Sequence, residues 1–167
     1  MNMSEVLQNG NLLVIRALDG LPEKEWDIPG AHGNWSVKDI VAHLAAYEHL
    51  IVDVLNTFLG GKLTPSIEQW ANSRAAFNAA AVEARQYATA QQVMDDYQTT
   101  QVEAASLIMQ IPPEKVQQPG TIPWYSEQSS LADFISHMYE HMREHSAQIT
   151  LFHSRVKAEM EDDSAGT

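Results

Sequence analysis

The sequence predicts an all-α protein, a four-helix bundle with an extra helical connection between its second and third helices. Three observations carry this. Apolar residues recur at alternating three- and four-residue steps over long segments, the spacing of one helix face. Those segments open on Ser or Thr and stop at Gly or Pro, residues that cap and break helices. No segment alternates polar and apolar residues as a half-buried strand does, and no long repeat is present.

The first helix is expected from Ser4 to Gly20, carrying Val6, Leu7, Leu13, Val14, Ala17 and Leu18, with Asn9 and Gly10 weakening its middle. The Pro- and Gly-rich loop LPEKEWDIPGAHGN follows, with Trp26 as its apolar anchor. Ser36 opens the second helix as N-cap, and Asp39 three residues on completes a variant capping box. Behind it Val37, Ile40, Leu44, Tyr47, Ile51, Val54 and Phe58 form a core-facing stripe, ended by Gly60–Gly61. Thr64–Pro65 starts an Ala-rich connecting helix, to about Tyr87, that carries Trp70 and Phe77 outside the main bundle. Thr89 with Gln92 caps the third bundle helix, whose stripe is Val93, Tyr97, Ala104, Leu107, Ile108 and Ile111, and Pro112–Pro113 stops it. The segment PPEKVQQPGTIPWYSEQSS is expected to be irregular, and Ser130 with Asp133 caps the last helix. The chain divides into one domain, residues 1–160, and a disordered acidic tail, 161–167.

Composition narrows the function classes. With 10 Lys+Arg against 22 Asp+Glu the chain carries −12 formal charges, which repel a phosphate backbone, so no nucleic-acid partner is expected. There is no cysteine, which excludes disulfides, Fe–S clusters and a thiol nucleophile of the protein's own. The N-terminal residues do not read as a secretory leader, and no uninterrupted apolar run reaches the ~18 residues of a membrane span, so a cytoplasmic protein without a membrane partner is expected.

The chemistry-bearing residues are histidines. His137, His141 and His145 follow one another at four-residue steps on the last helix, so their rings stack along nearly one face. On a helical wheel centred on Met138, the apolar stripe of Leu131, Phe134, Met142, Ile149, Phe152 and Val156 lies within about 40°. His145 falls about 20° and His141 about 60° from that centre, while His137 falls about 100° away, at the margin. His141 and His145 therefore look inward, and His137 is either a bystander or a neighbour of the inner pair. His43, toward one edge of the second helix's stripe, can reach across to another helix. Three neutral imidazoles on one divalent ion leave a fourth position open for water or substrate. A bland reading fits the same spacing, in which half-buried histidines simply hydrogen-bond to backbone or carboxylates.

Two motifs carry a resemblance. Trp35–Ser36–Val37–Lys38–Asp39–Ile40–Val41–Ala42–His43–Leu44 resembles the W-S-x-x-[DE]-x-x-x-H-L segment of the DinB/YfiT-like superfamily, and His141–Met142–Arg143–Glu144–His145–Ser146–Ala147–Gln148–Ile149 is similar to its H-x-x-x-H-x-x-Q-[IL] motif. The resemblance implies a four-helix bundle, often dimeric, that holds a divalent metal, zinc or nickel, through His43, His141 and His145. It also implies chemistry on small electrophiles: some members are thiol-dependent transferases or isomerases using bacillithiol, mycothiol or glutathione. A related branch, the colibactin self-protection proteins, hydrolyses a reactive cyclopropane, and Phe77–Asn78 with Val82–Glu83–Ala84–Arg85 bears a slight resemblance to it. The chain departs from the common form, in which adjacent histidines precede Arg-Gly-Gln. Here Glu144 precedes His145, and Ser146–Ala147 replace Arg-Gly, which leaves the histidine pair intact and the subgroup open.

The remaining positions around the expected site have two readings each. Tyr47, one turn beyond His43, is either a core residue with a wet hydroxyl or a group reaching the open metal position. Gln148 is placed to orient a ligand ring. Trp124 and Tyr125 either wall a pocket mouth or anchor their loop. Glu48 lies on the other side of the stripe, His49 points outward, and His32 and His153 read as surface residues. The expected function is a divalent-metal-dependent enzyme, a thiol S-transferase or hydrolase, in which the ion activates an external low-molecular-weight thiol or water against a small electrophile. A homodimer is its expected assembly. The rival expectation is a small-molecule binding or sequestration protein without a catalytic metal.

Overall fold

Local capping chemistry sets the helix boundaries. The computed structural model describes residues 2–166 and contains, among them, seven α-helices and no strand. Three capping boxes form as expected. Ser36, Thr89 and Ser130 each accept a hydrogen bond from the backbone three residues on, and Asp39, Gln92 and Asp133 reach back to the cap's own N–H. They open α2 (Val37–Phe58), α5 (Ala90–Ile108) and α7 (Leu131–Ala165). Asn2 caps α1 (Met3–Leu18) by accepting from Ser4 N at 2.9 Å. Thr64 caps α3 (Pro65–Asn72), with Pro65 in its first turn, where no intrahelical N–H is needed.

The Ala-rich connection is two helices rather than one. Ser73 takes an extended conformation, and its hydroxyl accepts from Ala76 N at 3.2 Å. It thereby ends α3 and starts α4 (Arg74–Ala84). Serine competes for backbone partners in this way at helix boundaries, so alanine propensity on both sides does not carry the helix through. The proline-rich segment is likewise not wholly irregular: Pro113–Val116 forms the single turn α6, begun by Pro113 in the position proline favours. Past the expected domain end at residue 160, α7 stays helical through Ala165, with residues 157–166 exposed.

α1 lies mainly against α7 and α2 against α5, while lesser α1–α5 and α2–α7 contacts close the four-helix ring. α3 and α4 lie over α2. That makes α2 the central element, with 15 of its 22 residues buried, so its polar side chains His43 and Glu48 have no wet face to turn to. Expected stripe residues fill the core, among them Val14, Ile40, Leu44, Ile51, Val54, Tyr97, Phe134 and Ile149. Gly10 does not break α1. A Cβ there would lie 2.7 Å from Met142 Sδ and 3.3 Å from Tyr139 Cδ2, so glycine permits the close approach of α1 to α7. None of the described helices is long and apolar enough to cross a membrane.

Candidate metal centre

His43 comes from the middle of α2, and His141 and His145 come from adjacent turns of α7, so the cluster spans the α2–α7 seam. The Nε2 atoms of His43 and His141 are 2.7 Å apart, and those of His141 and His145 are 3.1 Å apart. One ring nitrogen from each of the three lies within 4.8 Å of the others. His43 and His145 are buried and His141 half-buried.

Proton accounting shows what this arrangement can hold. Gln148 Oε1, an acceptor, sits 2.7 Å from His145 Nδ1, so that nitrogen carries the proton and donates it. His145 Nε2 is left as a bare lone pair. His141 Nε2 faces two nitrogens, and in the neutral state one proton cannot make full hydrogen bonds in both contacts. An extra proton is opposed by the surroundings. Burial first, then the neighbouring histidines, hold His43 down to about 3 and His141 down to about 2. Burial also depresses His145, against the opposing pull of Gln148. Three neutral imidazole lone pairs converging on one point are the donor set a divalent ion of the zinc or nickel type accepts, so the residues fit such an ion. At His43 the outer nitrogen, Nδ1, is buried without a hydrogen-bond partner, enclosed by the rings of Trp35 and Tyr47 at 5.0 and 4.7 Å.

A cleft of about 230 Å³ opens over the three nitrogens. One wall is the turn before α2, where Gly33 (φ 56°) lets the chain fold back so that Trp35 N donates to His32 O at 2.9 Å. His32, expected to be an ordinary surface residue, is exposed yet brought 5.8 Å from the His145 ring by this turn, and it lines the cleft. The opposite wall is Tyr47, Trp70, Arg74 and Asn78, and His137 and Glu144 complete the lining.

The Tyr47 hydroxyl is neither wet nor directed at the cluster. It accepts from Trp70 Nε1 at 3.2 Å and donates to Asn78 Oδ1 at 3.0 Å, while its ring lies over His141 at 4.2 Å. His137 stays outside the three-nitrogen group and meets the Tyr125 hydroxyl through Nδ1 at 3.0 Å. Burial first and the Arg74 charge second hold it below its ordinary pKa. Trp124 packs on Trp70, Tyr125 and Phe134 and does not line this cleft, so it anchors the loop. Glu48 is buried elsewhere on α2, and burial pushes its carboxyl up to about 8. His49 is at the surface, with Nε2 2.7 Å from Asp96 Oδ1. His153, expected to be exposed, is half-buried 3.4 Å from the carboxylate of buried Glu25.

Sequence reasoning did not single out Arg74; Trp70 entered it only as part of the connecting helix, and Asn78 only through the slight Phe77–Asn78 resemblance. The signal the three share is spacing: positions 70, 74 and 78 are four apart, although the helix break at Ser73 falls between them.

The fold and the buried cluster together define a helical bundle whose three-histidine site can hold a metal ion. The chain belongs to the DinB superfamily, whose sequence profile matches residues 13–149. That span takes in both histidine motifs, the whole of α2 and α5, the end of α1 and the first half of α7. Comparison with curated proteins and with solved structures gives no match.

Proposed function

We propose that this protein is a divalent-metal-dependent enzyme that activates a thiol or water for attack on a small electrophile, in detoxification or stress protection. The observation that carries this reading is the convergence of the His43, His141 and His145 nitrogens beneath a cleft of about 230 Å³. A zinc or nickel ion held there supplies Lewis acidity, which brings the pKa of a bound water or thiol toward neutrality. The chain's own residues do the rest. Gln148 holds the His145 ring with its Nε2 lone pair turned inward, and the Tyr47 and Trp35 rings exclude water from the back of His43. Cysteine is absent, so any thiol comes as a low-molecular-weight cosubstrate. The proposal includes a cytoplasmic setting and a homodimer.

The test is a rate measurement on zinc- or nickel-loaded protein, with an aryl halide electrophile and a small thiol. Turnover above the uncatalysed rate, lost in His43→Ala, supports the reading. A loaded protein that accelerates neither thiol addition nor hydrolysis of any electrophile refutes it and favours the second reading, binding or sequestration of a small reactive molecule. The aromatic lining of the cleft by Trp35, Tyr47 and Trp70 is the observation behind that alternative.

A further inference from the structure

The cleft over the histidine cluster has a polarity unlike the rest of the molecule. The chain carries 22 acidic against 10 basic residues, yet the cation on this cleft, Arg74, has no carboxylate partner among the described residues. Its guanidinium lies over the Trp70 ring, 4.5 Å from the centroid. Stacking occupies the flat face and leaves the N–H edge free, and no described protein group accepts from that edge. The position also works against helix stability. Arg74 is the first residue of α4, the positive end of the helix dipole, and the first turn holds no acidic residue to offset it. A charge set against the helix dipole is the kind of broken local rule that concentrates at functional sites.

A second donor lies one turn along the same face. Asn78 follows Arg74 by four residues, so both side chains project from one side of α4 toward the cleft. Its amide orientation is fixed by a chain of donors. Trp70 Nε1–H can only donate and gives its proton to the Tyr47 oxygen, and the Tyr47 hydroxyl gives its own to Asn78 Oδ1. The Asn78 NH₂ is thereby turned away from Tyr47 and has no protein acceptor among the described residues. Two donor groups, one charged and one neutral, thus stand on one wall of a cleft whose floor is the three nitrogens.

Resting on the proposed metal-dependent reading, we propose that Arg74 and Asn78 form a carboxylate-binding subsite, so that the ligand of this cleft is a small carboxylic acid. The planar fork of arginine matches the two oxygens of a carboxylate. A phosphate dianion is disfavoured, because no second cation lines the cleft and Glu144 does. Asn78 holds the carboxylate through one oxygen, leaving the far end of the molecule over the histidine nitrogens. Arg74 and Asn78 position and select, and neither takes part in proton transfer.

The test compares 3-mercaptopropionate with 2-mercaptoethanol on the cobalt-loaded full chain, reading the thiolate-to-cobalt charge-transfer band. The acid binds roughly tenfold more tightly than the alcohol in the wild type. Arg74→Gln abolishes that preference and leaves 2-mercaptoethanol binding unchanged, and Asn78→Ala reduces it in part. Equal binding of the two thiols by the wild type, or a preference that survives Arg74→Gln, overturns the subsite. Failure to take up cobalt defeats the metal reading instead, and the subsite is then decided on metal-free protein by NMR. Benzoate, and not benzamide, shifts the Arg74 Nε–H and Asn78 side-chain amide resonances if the subsite exists, and shifts neither if it does not.

Discussion

Replacing Gln148 with Leu tests whether the outer partner of one histidine governs metal affinity. In the wild type, Gln148 Oε1 accepts a hydrogen bond from His145 Nδ1–H at 2.7 Å, and His145 is 5% exposed, so water cannot readily replace it. Leucine fills similar space and accepts nothing. The metal-bound state needs the proton on Nδ1, because Nε2 must be bare, and it then buries an unpaired N–H at a cost of about 1–3 kcal/mol. The metal-free state escapes most of that cost by moving the proton to Nε2, beside His141. The penalty therefore falls on metal binding, and at about 1.4 kcal/mol per factor of ten it weakens affinity about 10- to 100-fold. Competition titration of zinc against a chromophoric chelator reads this directly, with thermal unfolding of the metal-free variant as the control. Gln148→Glu keeps the acceptor and retains wild-type affinity or better. Unchanged zinc affinity in Gln148→Leu refutes the reasoning, as does a loss in Gln148→Glu equal to that in Gln148→Leu.

Glu48, raised by burial from 4.5 to about 8, keeps in the native state a proton that the unfolded chain releases. Stability therefore falls as pH rises from 4.5 through 8, by at most about 5 kcal/mol. Denaturant unfolding at pH 7 and pH 8, above the range in which the histidines contribute a slope, is expected to show this fall, and Glu48→Gln to remove it. His43 and His141 act in the opposite sense. Depressed from 6.5 to about 3 and about 2, they stabilise the fold above pH 6.5, and that contribution is lost as pH falls toward 3, because the unfolded chain takes up protons the native state refuses. His141→Gln is expected to flatten the melting temperature of the metal-free protein between pH 7 and pH 5. Gly10→Val brings a branched side chain against Met142 and Tyr139 and is expected to destabilise by about 1–3 kcal/mol, as measured by urea unfolding.

What could be read in the sequence was what neighbouring residues decide among themselves. Ser36 with Asp39, Thr64 with Pro65, Thr89 with Gln92 and Ser130 with Asp133 mark their helix starts because a cap is a contact across three or four residues. The pairing of His141 with His145 is equally local, and its inward direction follows from the wheel. The meeting of His43 with that pair spans 98 residues, and only motif resemblance linked them in advance. Other features stayed hidden because they depend on partners distant in sequence. Gly10 reads as a helix breaker until α7 is laid against it, and His32 reads as solvated until Gly33 turns it toward His145. The break at Ser73 was missed for a different reason, since helix propensity on both sides outweighed one serine that prefers to cap. Arg74 carries only the weak signal of its four-residue spacing from positions 70 and 78, and its place over Trp70 at the cleft is what separates it from a surface arginine.

The claim that His43, His141 and His145 bind one divalent ion is tested most directly by elemental analysis of untagged protein, beside His43→Ala and His145→Ala. Close to one zinc or nickel per chain is expected in the wild type, lost in both variants while each keeps its helical circular dichroism. A wild type that holds no metal even after reconstitution, or variants that retain it in full, would rule out a three-histidine metal site.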